Sequence, residues 1–227
     1  NNIIGAQSLS ACIECEIGLF SSSEGSITCD ACSIGKYRDG SISSTECKQC
    51  SPGKYSSSRG STSCTIVGAG YYTSEHGSSK PLGCPVGSSC LGPGATNPVL
   101  CSAGSFSLAR STSCTLCPIN TYNSHLGSSC LPCLSGTIAD QIGSTSCTAC
   151  PIGKFNNGID LNGISICNDC ESGTFTEQTG SDSCTACPEG KYSFDTTSCI
   201  DCEAGKYAAG SGNGSCLTCA TNAYSSS

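Results

Sequence analysis

One aromatic side chain returns about every 17 residues along a chain otherwise filled with Ser, Thr and Gly. Phe20, Tyr37, Tyr55, Tyr72, Phe106, Tyr122, Phe155, Phe175, Tyr192, Tyr207 and Tyr224 keep this beat, Ile138 replaces a ring once, and Tyr71 and Phe194 fall off it. The chain shows no sustained helical periodicity, which predicts almost no helix. Each ring is instead followed by a polar stretch, such as "SSSRGSTS" at 56–63, that reads as a hairpin tip and the approach to a return strand.

Cysteine sets the phase of the beat. From each of Cys15, Cys32, Cys50, Cys101, Cys117, Cys133, Cys150, Cys170, Cys187 and Cys202 the chain runs through two residues to a Gly, one residue to the ring, and a polar loop to the next Cys. Two residues join successive phrases, which produces ten C-x-x-C pairs. The Gly position holds Gly18, Gly35, Gly53, Gly104, Gly136, Gly153, Gly173, Gly190 and Gly205, with Asn120 or Asn222 where Gly is missing. Gly and Asn are the residues that tolerate positive φ, so a left-handed residue closing a tight turn is expected there. Pro118, Pro151 and Pro188, directly after the Cys, are placed at the second position of that turn. The rings are expected to cover the neighbouring disulfides, since nothing else in the repeat offers a core. A row of exposed rings stacking on sugar is the competing use.

Composition adds the compartment. With 24 Cys in 227 residues the chain falls where a disulfide scaffold is the leading explanation, and disulfides persist outside the cell, so an extracellular or cell-surface protein is expected. Only 12% of residues are charged, the net charge is −7, and the ten Lys and Arg are scattered, which leaves no basic patch for nucleic acid. No apolar run approaches the roughly 20 residues of a membrane-spanning helix. The opening "NNIIGAQ" and the absence of Met read as a processed product or a segment.

The repeated phrase C-x-x-G-[KT]-[YF], a Ser-rich loop and S-x-C-x-x-C resembles the ephrin-receptor-like cysteine-rich repeat. It is also similar to the first half-module of tumour necrosis factor receptor ectodomains, and the resemblance covers 12–64 and 101–227. It implies that each opening Cys bonds to the next Cys along: Cys15 with Cys29, Cys32 with Cys47, Cys50 with Cys64, Cys101 with Cys114, Cys117 with Cys130, and Cys133 with Cys147. It further implies Cys150 with Cys167, Cys170 with Cys184, Cys187 with Cys199, and Cys202 with Cys216. The second receptor half-module, whose crossed bridges help build ligand sites, has no counterpart here, which counts against cytokine binding.

Between Cys64 and Cys101 the phrase breaks, with Val67 standing where a Cys belongs. Cys84 and Cys90 are then left to pair by elimination, and three regions result: repeats over 1–64, a degenerate stretch over 65–100, and repeats over 101–227. Nearest-neighbour pairing leaves Cys12 and Cys219 over. These two could join copies head to tail or bond to further sequence, while a crossed scheme such as Cys12 with Cys29 and Cys15 with Cys32 would pair every cysteine internally.

Other chemistry finds little footing. The spacing of successive C-x-x-C pairs is close to that of a zinc ribbon, but the fixed Gly and ring offsets, the Ser-rich loops and the compartment argue against zinc, and no cofactor is expected. A thioredoxin-like motif occurs once at a helix start, whereas this one recurs ten times with no helix to follow. His76 and His125 stand alone in polar loops and no acid recurs at a fixed offset, so no enzyme is expected. Asn213-Gly214-Ser215 is a glycosylation acceptor, and the Ser and Thr could carry further glycan.

The expectation is a small disulfide-rich protein, an elongated tandem array of short β-hairpin repeats, serving as an extracellular structural element of a fibre or stalk. A receptor or adhesin ectodomain binding protein or glycan is the alternative. If each hairpin advances the array by about two strand spacings, roughly 10 Å, twelve units reach roughly 115 Å with a radius of gyration of about 33 Å. A compact chain of this length has about 17 Å, so small-angle scattering separates the two outcomes.

Overall fold

The computed structural model describes residues 13–40, 45–127, 129–158, 165–223 and 225. Cys12 and Tyr224 lie outside these. Two-residue strands pair into twelve antiparallel hairpins, from Leu19–Phe20 with Asp30–Ala31 to Lys206–Tyr207 with Leu217–Thr218, and no helix occurs among the described residues. Each hairpin sets the ring against the first residue of the C-x-x-C spacer, as in Tyr37 opposite Lys48 and Phe155 opposite Asn168. The residue before the ring faces the second spacer residue, where Lys154 meets Asp169 at 2.7 Å and Lys191 meets Asp201 at 2.9 Å. These ion pairs are exposed and contribute on the order of 0.5 kcal/mol each.

The chain divides into two compact units. Asn1–Cys101 with Ser107–Cys114 holds the first five hairpins, and Ser102–Phe106 with Thr115–Ser227 holds the other seven. Each unit repeats one plan. The turn that enters a hairpin is closed by an N–H to C=O bond across three residues, such as Leu19 N to Glu16 O at 3.0 Å, with its third residue at positive φ: Gly18 at 79°, Gly35 at 79°, Gly153 at 79°. Asn120 and Asn222 adopt φ of 62° and 72° at the same place, as the sequence reading expects of Gly substitutes.

The prolines sit one residue earlier than expected. Pro118, Pro151 and Pro188 contribute the carbonyl that closes the turn, accepting from Thr121, Lys154 and Lys191, so they occupy its first position and not its second. Pro52 does stand second, between Ser51, whose carbonyl accepts from Lys54, and Gly53 at φ 79°. A fixed φ of about −65° suits that corner directly.

The core is also not where the rings suggested. The rings described are half-buried, or exposed at Phe194 and Tyr207, while the buried row consists of opening cysteines such as Cys32, Cys50, Cys117, Cys150 and Cys187 together with the residue after the ring position from Arg38 to Ala208. That residue is Arg38, Ser56, Thr73, Cys90, Ser107, Asn123, Ala139, Asn156, Thr176, Ser193 or Ala208. Apolar surface removed from water therefore belongs mostly to sulfur and short side chains. Such a core holds only if its polar members find partners.

Regularity runs through 65–100 as well. Tyr71–Tyr72 pairs with Leu82–Gly83, and Ser88–Ser89 with Val99–Leu100, in the register of their neighbours. The stretch is irregular in its cysteines and regular in its backbone.

Candidate functional site: the disulfide ladder

Three backbone bonds tie each repeat to its neighbours. The turn Gly donates to the residue after the ring in the next repeat: Gly18 N to Arg38 O, Gly35 N to Ser56 O, Gly53 N to Thr73 O, Gly70 N to Cys90 O and Gly87 N to Ser107 O in the first unit, at 2.8–3.3 Å. The second unit continues with Gly104 to Asn123, Asn120 to Ala139, Gly136 to Asn156 and Gly173 to Ser193. A tip residue donates back to the opening position one repeat earlier, as in Gly60 N to Cys32 O, Gly77 N to Cys50 O and Gly180 N to Cys150 O. The residue after the ring donates forward to the next tip, as in Arg38 N to Ser61 O and Asn156 N to Ser181 O. The rungs are main chain, so sequence can vary between the fixed positions without breaking them.

Side chains add a fourth rung. In five repeats the buried residue after the ring reaches back to the carbonyl of the residue before the ring in the preceding repeat, whereas the buried Ser193 Oγ finds no hydrogen-bond partner among the described residues. Ser107 Oγ donates to Ser88 O at 2.8 Å, Asn123 Nδ2 to Ser105 O at 2.9 Å, Asn156 Nδ2 to Thr137 O at 3.2 Å and Thr73 Oγ1 to Lys54 O at 3.3 Å. Arg38 does the same with Nη1, donating at once to Leu19, Glu16 and Cys15 carbonyls. This explains why a buried position carries hydroxyls and amides.

The turn Gly meets a second constraint beyond its φ. A Cβ on Gly35 would fall on the Gly77 carbonyl oxygen, and one on Gly18, Gly53 or Gly70 on the carbonyl of Gly60, Gly94 or Arg110, each two repeats ahead. Gly104, Gly136 and Gly173 face Gly143, Gly180 and Gly212 in the same way. Asn120 is the exception that has an answer. The bridged loop two repeats on, Cys150–Cys167, is the longest in the series at 17 residues, and the Asn120 amide engages the Ser165 main chain there, donating to its carbonyl at 3.1 Å and accepting from its N–H at 3.0 Å.

Eleven disulfides close the repeats. They join the pairs that the family resemblance implied, together with Cys84–Cys90, at Cα separations of 5.5–5.9 Å. The two cysteines of a C-x-x-C flank a return strand and serve different bridges, as Cys47 bonds Cys32 while Cys50 bonds Cys64. Val67 takes the buried place of an opening Cys with no exposed surface, and Pro81 takes the place of the Cys that would have closed its loop. Pro98 likewise occupies the closing place of the next repeat, whose Cys84 turns instead to Cys90 at the position after the ring. The substitutions come in pairs, so no half-cystine of this stretch is orphaned.

From this follows a stability prediction. The double variant Val67→Cys with Pro81→Cys should form the missing bridge and, for a loop of this length, add about 3 kcal/mol in the chain-entropy account. Denaturant unfolding followed at that repeat, with thiol counting to prove the bond, checks it.

Of the remaining candidates, Cys219 is half-exposed and unpaired among the described residues, with its N–H donated to Gly205 O at 3.0 Å. Cys12, its expected partner between copies, falls outside them. Asn213 is half-buried, and the amide nitrogen to which a glycan would attach donates to Ala209 O and Gly210 O at 3.2 and 3.0 Å. His76 and His125 are exposed in tip loops, and Ser124 Oγ lies 2.7 Å from His125 Nδ1. At the tip where Thr196 replaces Gly at φ 64°, the Asp195 carboxylate accepts from the Thr197 and Ser198 N–H groups, and these bonds, Thr197 foremost, hold its acid below the usual carboxylate range.

Shallow grooves mark the steps between hairpins. One of about 530 Å³ is lined by Phe155, Asn168, Asp169, Glu171, Thr174 and Cys184. Another, of about 310 Å³, takes in Tyr37, Asp39, Gln49 and Lys54.

The family model described as tyrosine-protein kinase ephrin type A/B receptor-like matches residues 4–44, 21–66, 104–150 and 158–198, more than half of the chain. The chain belongs to the ephrin-receptor-like family. No curated protein matches it significantly. An ephrin-receptor-like array with a bridge in nearly every repeat points to an extracellular module of receptor or structural type. The two repeats with Pro81 and Pro98 at the closing place fall within 67–103, which the family model does not match, as it does not match 151–157 and 199–227.

Proposed function

We propose that this ephrin-receptor-like chain is a non-enzymatic extracellular structural element, the disulfide-ladder building block of a surface fibre or stalk. The observation that supports it is the repetition of the same main-chain rungs in each unit, while the residues between the fixed Gly and Cys positions change from repeat to repeat. Interactions confined to neighbouring repeats give such an array stability that accumulates along its length. Load applied along the chain is shared between hydrogen bonds in every repeat and covalent bridges in all but the Val67 repeat. Cys219, left over by the bridges described, supplies a joint to Cys12 of another copy or to further sequence.

Non-reducing digestion with mass spectrometry tests the joint. The expected result is Cys219 in a disulfide with Cys12 of a second copy or with a peptide outside the present sequence. Cys219 recovered as a free thiol, or Cys12 found on Cys29, overturns it.

A second reading is favoured by the grooves beside Tyr37 and Phe155, where a half-buried ring adjoins carboxylates and amides. This combination suits a sugar ring, apolar on its faces and polar at its rim, and belongs to a receptor or adhesin. Chemical-shift changes of the groove residues on adding oligosaccharides, lost in Tyr37→Ala and Phe155→Ala, would support it; no shifts with any glycan tried would remove it.

A further inference from the structure

The ring side of the hairpins changes character within the first unit. Two residues after the ring position the earlier repeats carry Asp39, Ser57 and Ser74, but the next two carry Leu91 and Leu108, exposed by 71% and 70%. At the first residue of the return strand Asp30, Lys48 and Thr65 give way to Leu82 and Val99, exposed by 47% and 57%. All four stand on one side. The return-strand residues are the direct cross-strand partners of the ring position, with Leu82 opposite Tyr72 and Val99 opposite Ser89. Leu91 and Leu108 lie on that same side because the residue between, Cys90 or Ser107, is buried on the other.

Charge is absent from the same stretch. Between Lys80 and Asp140 the only charged residue is Arg110, and its guanidinium lies over the Tyr71 ring at 5.4 Å. Single exposed aliphatics are ordinary, and Leu131, Phe194, Ile200 and Leu217 hold the same places in the second unit, but a strip spread over three successive rungs in a stretch whose one charged side chain is Arg110 marks a contact surface.

We propose that Leu82, Val99, Leu91 and Leu108 form a lateral contact with the same strip of a second copy of this chain. The choice of occupant follows from charge. With a net charge of −7, two copies repel when they approach through their acidic parts, and this strip is where like meets like without that penalty. A two-fold contact brings a patch against itself, which an uncharged aliphatic strip satisfies and a one-signed patch does not. A strongly charged partner would find nothing here to pair with. The proposal rests on the structural reading above, but it is independent of the covalent joint.

Sedimentation of the full chain carrying Cys219→Ser provides the test. The comparison variant adds Leu91→Ser, Leu108→Ser and Val99→Thr, the residue types that Ser74 and Thr65 show at the equivalent places, so the repeat's own pattern is kept. The Cys219→Ser chain should dimerise with concentration, undiminished by added salt, and the added substitutions should raise the dissociation constant by about tenfold or more. Unchanged amide dispersion and thiol count establish that the variant is folded. A Cys219→Ser chain that stays monomeric at all concentrations overturns the proposal, as does a variant that associates as tightly. A monomer that instead binds neutral lipid vesicles through these three residues assigns the strip to a membrane surface and overturns it equally. Loss of the covalent joint leaves this dimer intact, so the two failures are distinguishable.

Discussion

Gly35→Ala should destabilise the array far more than Gly190→Ala, although both glycines have almost the same backbone angle, 79° and 80°. At Gly190 a Cβ meets nothing within 4 Å, so the substitution carries only the left-handed penalty of about 1–2 kcal/mol. At Gly35 it lands on the Gly77 carbonyl, which is backbone and which is held by the bond from Gly77 N to Cys50 O at 2.8 Å. The clash can be relieved only by shifting the tip away from that rung, so a total of about 3 kcal/mol or more is expected. Hydrogen exchange is the suitable measurement, because an array of neighbour-coupled repeats need not unfold in one step. Protection should fall at Gly77, two repeats away from the mutation. Equal effects at the two glycines, or a loss confined to the repeat that carries Gly35, would remove the two-repeat contact from the account.

That contact shows where sequence reading stops. Positive φ at the turn was legible from Gly and Asn alone, because those residues share a tolerance that others lack. The facing carbonyl was not, since it comes from a tip loop some 40 residues away whose own Gly looks like any turn residue. The same distance hides the answer to Asn120, which lies in the length of a loop two repeats on. The family resemblance supplied the disulfide pairing, and a signal for the gap in it stood unread: Pro81 and Pro98 both fall on the closing-Cys place. As the largest apolar groups the rings are the obvious core from sequence, yet two-residue strands leave most of them half-buried. The inward residue was visible as an unbroken small or polar position after each ring, with Arg38 the one long side chain. Hydrophobicity alone could not single it out, because the position holds Ala and Cys in some repeats and, in others, hydroxyls and amides that donate to carbonyls.

Reduction should abolish the fold outright, and strong chelator should leave it unchanged. The buried row consists largely of half-cystines, so breaking the bridges both frees the loops and turns the core into thiols packed mostly against Ser, Thr, Asn and Ala, with Val67 and Arg38 the larger members. Closing a loop of about 15 residues contributes roughly 3 kcal/mol in the chain-entropy account, and ten of the bridges close loops of 12–17 residues. Ordering the backbone costs about 1–2 kcal/mol per residue, which a repeat of one half-buried ring and a few short side chains cannot offset by burial alone. The repeat from Val67 to Gly83 shows that one rung can do without its bridge, but its turn and tip are bonded to bridged neighbours on both sides, Gly70 N to Cys90 O after it and Gly77 N to Cys50 O before it. Neighbour coupling of this kind rescues a single gap and fails when every repeat is opened together. Amide chemical-shift dispersion in dithiothreitol and in chelator is the direct comparison. Collapse in reductant alone is expected; dispersion that survives reduction would mean that the main-chain rungs suffice, and collapse in chelator would place a metal among the cysteines.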